Sequence, residues 1–238
     1  GPDGEGQFTD GPVALGHRRL SIIDLSDAAH QPMPSADGRL VITYNGEVYN
    51  FQELRIDLEA KGHSFRSRGD SEVLVTALRE WGDAAVSKFN GMFAFAAWDR
   101  AKRRLVIARD RFGVKPVYYW SDGKTLLFAS EIKAFLKFPG FKAKVNRRNL
   151  VEYMTFQNFI SDQTLFEGVR ILPAGSMLVI EPGMSGVPEP KKYWDFRFVE
   201  DNSLTDRAEV EREVDRLFQQ AVSRQLVSDV PVGSYLSG

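Results

Sequence analysis

Arg39-Leu40-Val41-Ile42-Thr43-Tyr44-Asn45-Gly46-Glu47-Val48-Tyr49-Asn50-Phe51-Gln52-Glu53 is the stretch whose reading decides the fold. Residues 39–44 are rich in apolar and β-branched side chains and predict a strand. Asn50-Phe51-Gln52-Glu53 has the form of a capping box, and Leu54 and Leu58 follow Phe51 on one helical face until Gly62 stops the run. Between them sits Asn45-Gly46, which has two readings. It is a common hairpin dipeptide. It is also an Asn amide beside a Gly N–H with no side chain in the way, a pair able to donate jointly to a developing oxyanion.

Outward from this stretch the same pattern recurs. Met92 to Asp99, Arg104 to Arg109, Val117 to Trp120, Thr125 to Ala129 and Ser176 to Ile180 read as strands, several apolar on both faces and hence covered on both. A second helix is predicted from about Ser71 to Trp81, where Val73, Leu74, Ala77, Leu78 and Trp81 recur at the spacing of a helix laid on a sheet. After Tyr193-Trp194-Asp195 a polar stretch, Glu200-Asp201-Asn202-Ser203, marks a boundary, and a helical pattern begins near Thr205. Its stripe, Val210, Val214, Leu217, Phe218, Ala221, Val222 and Leu226, needs a surface to bury it. Val230 to Leu236 then reads as a strand.

Bulk properties narrow the function classes. A formal charge of -1 over 238 residues gives no reason to expect nucleic acid or a membrane surface as partner. No apolar run approaches the ~20 residues a bilayer span needs, and Gly1-Pro2-Asp3-Gly4 has no signal-peptide character, so a cytoplasmic location is expected. There is no cysteine, which excludes disulfides, thiolate metal sites and a thiol nucleophile within these residues. His17, His30 and His63 have no paired spacing, so each is read as a surface or loop residue and no metal is expected.

Two further residues join Asn45 and Gly46 as candidates. Arg19 opens Leu20-Ser21-Ile22-Ile23-Asp24, and it either clamps a carboxylate in bidentate fashion or pairs with an acid such as Asp24. Asp70 precedes the second helix, as an N-cap or as an acceptor for an ammonium group. Together an arginine, an aspartate and an amide-plus-backbone donor pair describe a pocket for an amino acid undergoing acyl transfer.

The ordered set Arg-Leu-Ser-Ile-Ile-Asp (19–24), Asn-Gly-Glu-Val-Tyr-Asn (45–50), Gly-Asp-Ser-Glu (69–72), Gly-Met-Phe-Ala-Phe-Ala (91–96) and Arg-Asp-Arg-Phe-Gly-Val-Lys-Pro-Val-Tyr-Tyr (109–119) closely resembles the class II glutamine amidotransferase domain of asparagine synthetases. The resemblance implies an α+β fold, a four-layer α-β-β-α N-terminal-nucleophile hydrolase sandwich over residues 1–198 that lacks its first strand. Residues 199–238 are then the linker and first helix and strand of an α/β ATP-dependent synthetase domain. It implies that Arg19 binds the α-carboxylate of glutamine, Asp70 its α-ammonium, Asn45 and the Gly46 N–H form the oxyanion hole, and Glu47 lines the same pocket.

In that family the nucleophile is a cysteine exposed after Met removal. The chain begins instead with residues resembling a later His-Arg-Gly-Pro-Asp segment, so these residues alone are expected not to hydrolyse glutamine. At the other end Ser228 to Gly238 resembles the strand entering the family's pyrophosphate-binding loop, of which Ser237 and Gly238 are the first two residues. No cofactor is therefore expected here, with ATP and magnesium expected in the intact synthetase. The expected partners are glutamine and the synthetase domain of the same polypeptide, and a homodimer is compatible with the sequence. Two alternatives stay open: a scaffold domain that has lost its nucleophile, and an amidotransferase of the same family acting on another carboxylate acceptor. Arg109 and Asp110 are expected to form a buried or half-buried pair. Lys115-Pro116 and Ser130-Glu131 are expected to be structural or to contact the neighbouring domain.

Overall fold

Side-chain alternation decides which way each layer faces. The computed structural model describes residues 3–184, 186–200, 203 and 206–234. Its strands are β1 (Gly4–Asp10), β2 (Val13–Arg19), β3 (Met33–Pro34), β4 (Leu40–Val48), β5 (Gly91–Asp99), β6 (Arg104–Arg109), β7 (Tyr118–Ser121), β8 (Leu126–Ala129), β9 (Arg170–Ile171), β10 (Ser176–Ile180) and β11 (Lys191–Lys192). Its helices are α1 (Phe51–Glu59), α2 (Asp70–Trp81), α3 (Ala85–Lys88), α4 (Arg147–Phe156) and α5 (Arg207–Gln225). Six strands form one antiparallel sheet in the order β11-β10-β6-β5-β4-β3.

On one face of that sheet Ile42, Tyr44, Phe93, Phe95 and Ala108 pack against Phe51, Leu54 and Leu58 of α1 and Val73, Leu74 and Ala77 of α2. On the other face Val41, Ala94, Ala96, Trp98 and Ile107 meet Leu15 of β2 and Tyr119 of β7. The second β layer is divided into the β1–β2 hairpin and a small sheet in the order β8-β7-β9. Trp120 and Leu127 on the far face of that small sheet gather Phe135 and Phe141 around a 3₁₀ turn at Ile132–Lys137. The α-β-β-α order is the expected one. Its outer helical layer is thin, since α4 buries Asn149 and leaves Val151, Met154 and Phe156 exposed.

Several local expectations are corrected. Asn45-Gly46 is not a turn: β4 runs on to Val48, with Asn45 opposite Ala94 and Gly46 opposite Phe93. β5 is long enough to keep pairing, so the strand does not stop at Tyr44. Gly46 has φ 151°, and a Cβ there would stand 2.1 Å from the Met92 carbonyl oxygen, so the strands approach too closely for any side chain. The capping box does not form either. Asn50 Nδ2 donates to the Lys88 carbonyl at 3.0 Å and Asn50 Oδ1 accepts from the Asn90 N–H at 2.8 Å, while Glu53 pairs with Arg224.

The expected Arg109–Asp110 pair is replaced by two separate clamps on backbone. Arg109 donates to the carbonyls of Gly113, Lys115 and Leu172, and Asp110 accepts backbone N–H bonds. At the C-terminal end α5 starts at Arg207, with Asp206 accepting from the Ala208 N–H. Its apolar stripe is uncovered, Phe218 being 68 % exposed. Val230 to Ser234 is not a strand, and Tyr235, Leu236, Ser237 and Gly238 lie outside the described residues, as do Gly1, Pro2, Asp201, Asn202 and Thr205. Among the described residues no helix is long and apolar enough to cross a membrane.

Candidate functional site

The site grows from an unfinished strand edge. β3 pairs with Val41 and Ile42 of β4 and goes no further, which leaves the edge of residues 43–48 open. Its N–H groups are met by side chains instead: Gln31 Oε1 accepts from the Tyr44 N–H at 2.6 Å and Asp70 Oδ2 from the Val48 N–H at 2.9 Å. Strand alternation turns the intervening Gly46 N–H to the same edge. A cavity of about 1060 Å³ opens there, bordered by Arg19, Asn45, Gly46, Glu47 and Asp70. All of the residues singled out in the sequence for an amino-acid pocket thus share one hollow.

Arg19 closes β2 and does not pair with the Asp24 carboxylate. Its guanidinium donates to the carbonyls of Ile23, Asp24 and Ser26. Asp24 turns its carboxylate to the Ser26 and Arg68 N–H groups at 3.0 and 2.7 Å. The 20–26 segment is therefore a loop wrapped on the arginine, with Leu20 and Leu25 outside, and no buried apolar stretch follows Arg19.

Asp70 is the first residue of α2, Gly69 holding the N-cap position. It is 5 % exposed, and its Oδ2 accepts from the Tyr44 hydroxyl at 2.6 Å as well as from Val48. Burial pushes its pKa up, against the pull of the Tyr44 and Val48 hydrogen bonds. Glu47 is also pushed up, first by burial and then by the negative charge of Asp70, with Lys115 pulling the other way. Asn45 stands on the sheet face between the two β layers, and its Nδ2 donates to Ser130 Oγ at 3.4 Å.

Several residues of this wall were not identified as site residues from the sequence. Lys115, Ser130 and Glu131, read there as structural or domain-contact residues, border the cavity. So does His17, half-buried against Thr43 Oγ1 at 3.3 Å and not a surface residue. Burial, with the nearby Arg19 charge, lowers its pKa to about 4. No signal in one sequence could have joined them, since they come from separate loops and a hairpin. Among the described residues no group of His, Asp or Glu gathers to hold a metal ion.

Chemically Arg19, Asp70, Glu47, Asn45 and Gly46 together offer a cation, two carboxylates, and a carboxamide next to a strand-edge N–H. Such a set suits a zwitterion with a polar carbonyl at its far end.

The sequence matches the glutamine amidotransferase domain family over residues 1–194 and the asparagine synthase family over residues 213–238. Among curated relatives, asparagine synthetase [glutamine-hydrolyzing] 3 of Bacillus subtilis is 40% identical over 100% of this chain and 38% of its own length. Amidase chyE of Penicillium rubens is 37% identical over 100% of this chain and 35% of its own. The chain thus spans well under half the length of these relatives. Among solved structures, the glutamine phosphoribosylpyrophosphate amidotransferase of B. subtilis superposes with a TM-score of 0.51 at 22% identity, covering 74% of this chain and 34% of that one, a likeness of fold.

Proposed function

We propose a function from one premise: this chain belongs to the glutamine amidotransferase domain family. Residues 1–198 are read as the glutaminase portion of an ATP-dependent, cytoplasmic asparagine synthetase, and residues 199–238 as the linker and opening of its synthetase domain. The intact protein would hydrolyse glutamine to glutamate and ammonia, and the ammonia would amidate aspartate.

In this reading Arg19 holds the α-carboxylate of glutamine, Asp70 accepts from its α-ammonium and Glu47 lines the same end. The nucleophile comes from outside these residues, which contain no cysteine. As it adds to the side-chain amide carbon, negative charge gathers on the amide oxygen, where the Asn45 carboxamide and the Gly46 N–H donate. Breaking the carbon–nitrogen bond then releases ammonia and leaves an acyl group for water to remove.

What supports the reading is that Arg19, Asn45, Gly46, Glu47 and Asp70 border one cavity inside the family-matched segment. The test is kinetic. In the full-length enzyme Asp70→Ala and Arg19→Ala should raise the KM for glutamine at least ten-fold and leave ammonia-dependent synthesis within about two-fold, because free ammonia needs no α-carboxylate or α-ammonium subsite. Equal loss with both nitrogen sources would sink the assignment. A second reading, an amidotransferase of this kind with another carboxylate acceptor, stays open because a relative 37% identical over this whole chain is named an amidase and not an asparagine synthetase. Asparagine formation from supplied aspartate separates the two.

A further inference from the structure

One phenol on the cavity wall has no part in the roles above. Tyr44 is 3 % exposed, with its ring in the core between the six-stranded sheet and α1–α2, where phenylalanine would pack equally well. Its hydroxyl reaches Asp70 Oδ2 at 2.6 Å. The same oxygen accepts from the Val48 N–H at 2.9 Å, so both donors come from β4, the strand that carries Asn45 and Gly46. Two donors from one strand fix the carboxylate plane relative to that strand. The backbone N–H groups of Asp70 and Ser71, at the start of α2, donate to the same carboxylate, so it is held from the strand and from the helix together.

We infer that Tyr44 is a positioning residue for the amino-acid pocket: its hydroxyl holds Asp70 at a set distance from Asn45 and Gly46, so that the α-ammonium and side-chain amide of one substrate are gripped together. The inference rests on the reading of Asp70 as the ammonium acceptor. It makes Tyr44 a determinant of selectivity for substrates bearing an α-ammonium, acting through Asp70 without touching the substrate.

The experiment is glutaminase kinetics of full-length Tyr44→Phe with glutamine and with the glutamine analogue that lacks the α-amino group. The KM for glutamine is expected to rise roughly ten-fold, the scale of one lost hydrogen bond to a charged group. At saturation kcat should stay within about two-fold, and the KM for the analogue should not move. An unchanged KM for glutamine, or an equal rise with both substrates, overturns the proposal. Asp70→Asn, assayed alongside, separates the two failures. If it leaves the glutamine KM alone, the reading of Asp70 fails; if it raises that KM while Tyr44→Phe does not, the role of Tyr44 alone fails. Should Tyr44→Phe not fold, 3-fluorotyrosine at position 44 keeps the ring's shape and alters the donor. It is expected to shift the glutamine KM at least two-fold without shifting the analogue's, and the absence of that selective shift overturns the role.

Discussion

Asn45 carries its carboxamide out of β4 toward Ser130, whose Oγ accepts one of the two amide hydrogens at 3.4 Å. The second hydrogen remains for a ligand, beside an edge where Gly46 can present its N–H. A donor held this way stabilises charge that appears during the reaction more than charge present before it. Asn45→Ala in the full-length enzyme should therefore lower kcat for glutamine hydrolysis by roughly 10²–10³, with a smaller change in glutamine affinity. A loss confined to KM would make Asn45 a binding residue. Arg19, Asn45, Gly46 and Asp70 were legible in the sequence because their residue types suit the two ends of an amino acid and because the ordered motifs that carry them resemble an amidotransferase domain. Lys115 and Ser130 were not, because only the closure of the second β layer brings them to the pocket. The partners of Arg19 were misread for a related reason: an arginine's favourite neighbour in sequence is an acid, whereas the 20–26 loop offered it carbonyls.

The turn after β6 shows how an element gets its shape from one side chain. Leaving the sheet at Arg109, the chain doubles back, and its N–H groups lose their strand partners. Asp110, fully buried, accepts from the N–H groups of Phe93, Phe112, Val114 and Lys115 at 3.1, 3.0, 3.0 and 2.9 Å. Arg109 takes the turn's carbonyls, so anion and cation divide the donors and acceptors of one loop. Asp110→Ala would leave those N–H groups without the carboxylate, and a loss of ~3–5 kcal/mol is expected. Urea unfolding followed at the amidotransferase domain's transition measures it; a loss under ~1 kcal/mol would show that water or a backbone shift replaces the carboxylate. Elements with a strong hydrophobic period were readable: β5, β6, β10 and α2 all bury what their patterns said they would. The β1–β2 hairpin, with Gly4-Glu5-Gly6-Gln7 on one arm, and α4, which leaves most of its apolar residues exposed, carry no such period and were missed. Gly46 and Asn50 misled in the opposite way, since Asn-Gly and Asn-x-x-Glu have local meanings that tertiary pairing overrode.

For the whole molecule, the cavity puts ionisable groups where their charged forms are disfavoured, and this fixes how stability follows pH. His17 has its pKa lowered to about 4 by burial and the neighbouring Arg19 charge, against 6.5 in the unfolded chain. Above pH 6.5 the ring is neutral in both states and its contribution is complete. As pH falls from 6.5 toward 4 the unfolded chain takes up a proton that the folded chain refuses, so stability drops across that window and levels off below it. Undiminished, the gap would be worth ~3 kcal/mol. The ring is half-buried and partly screened by solvent, so ~1–2 kcal/mol is the expected loss. Glu47 and Asp70 act with opposite sign: their pKa values are raised, so they favour the folded state at low pH and lose that contribution as pH rises through their folded values. Asp83, lowered by its hydrogen bond to Arg104, gives way only below 3.8, outside the histidine's window. Because the opposing carboxylates remain in both proteins, the difference between wild type and His17→Gln isolates the histidine. Plotted as the midpoint of urea unfolding against pH, the variant should lack the fall between pH 6.5 and 4 that the wild type shows. Parallel curves through that interval would mean that the folded protein protonates His17 as readily as the unfolded chain does, with the ring open to water and not part of the cavity wall.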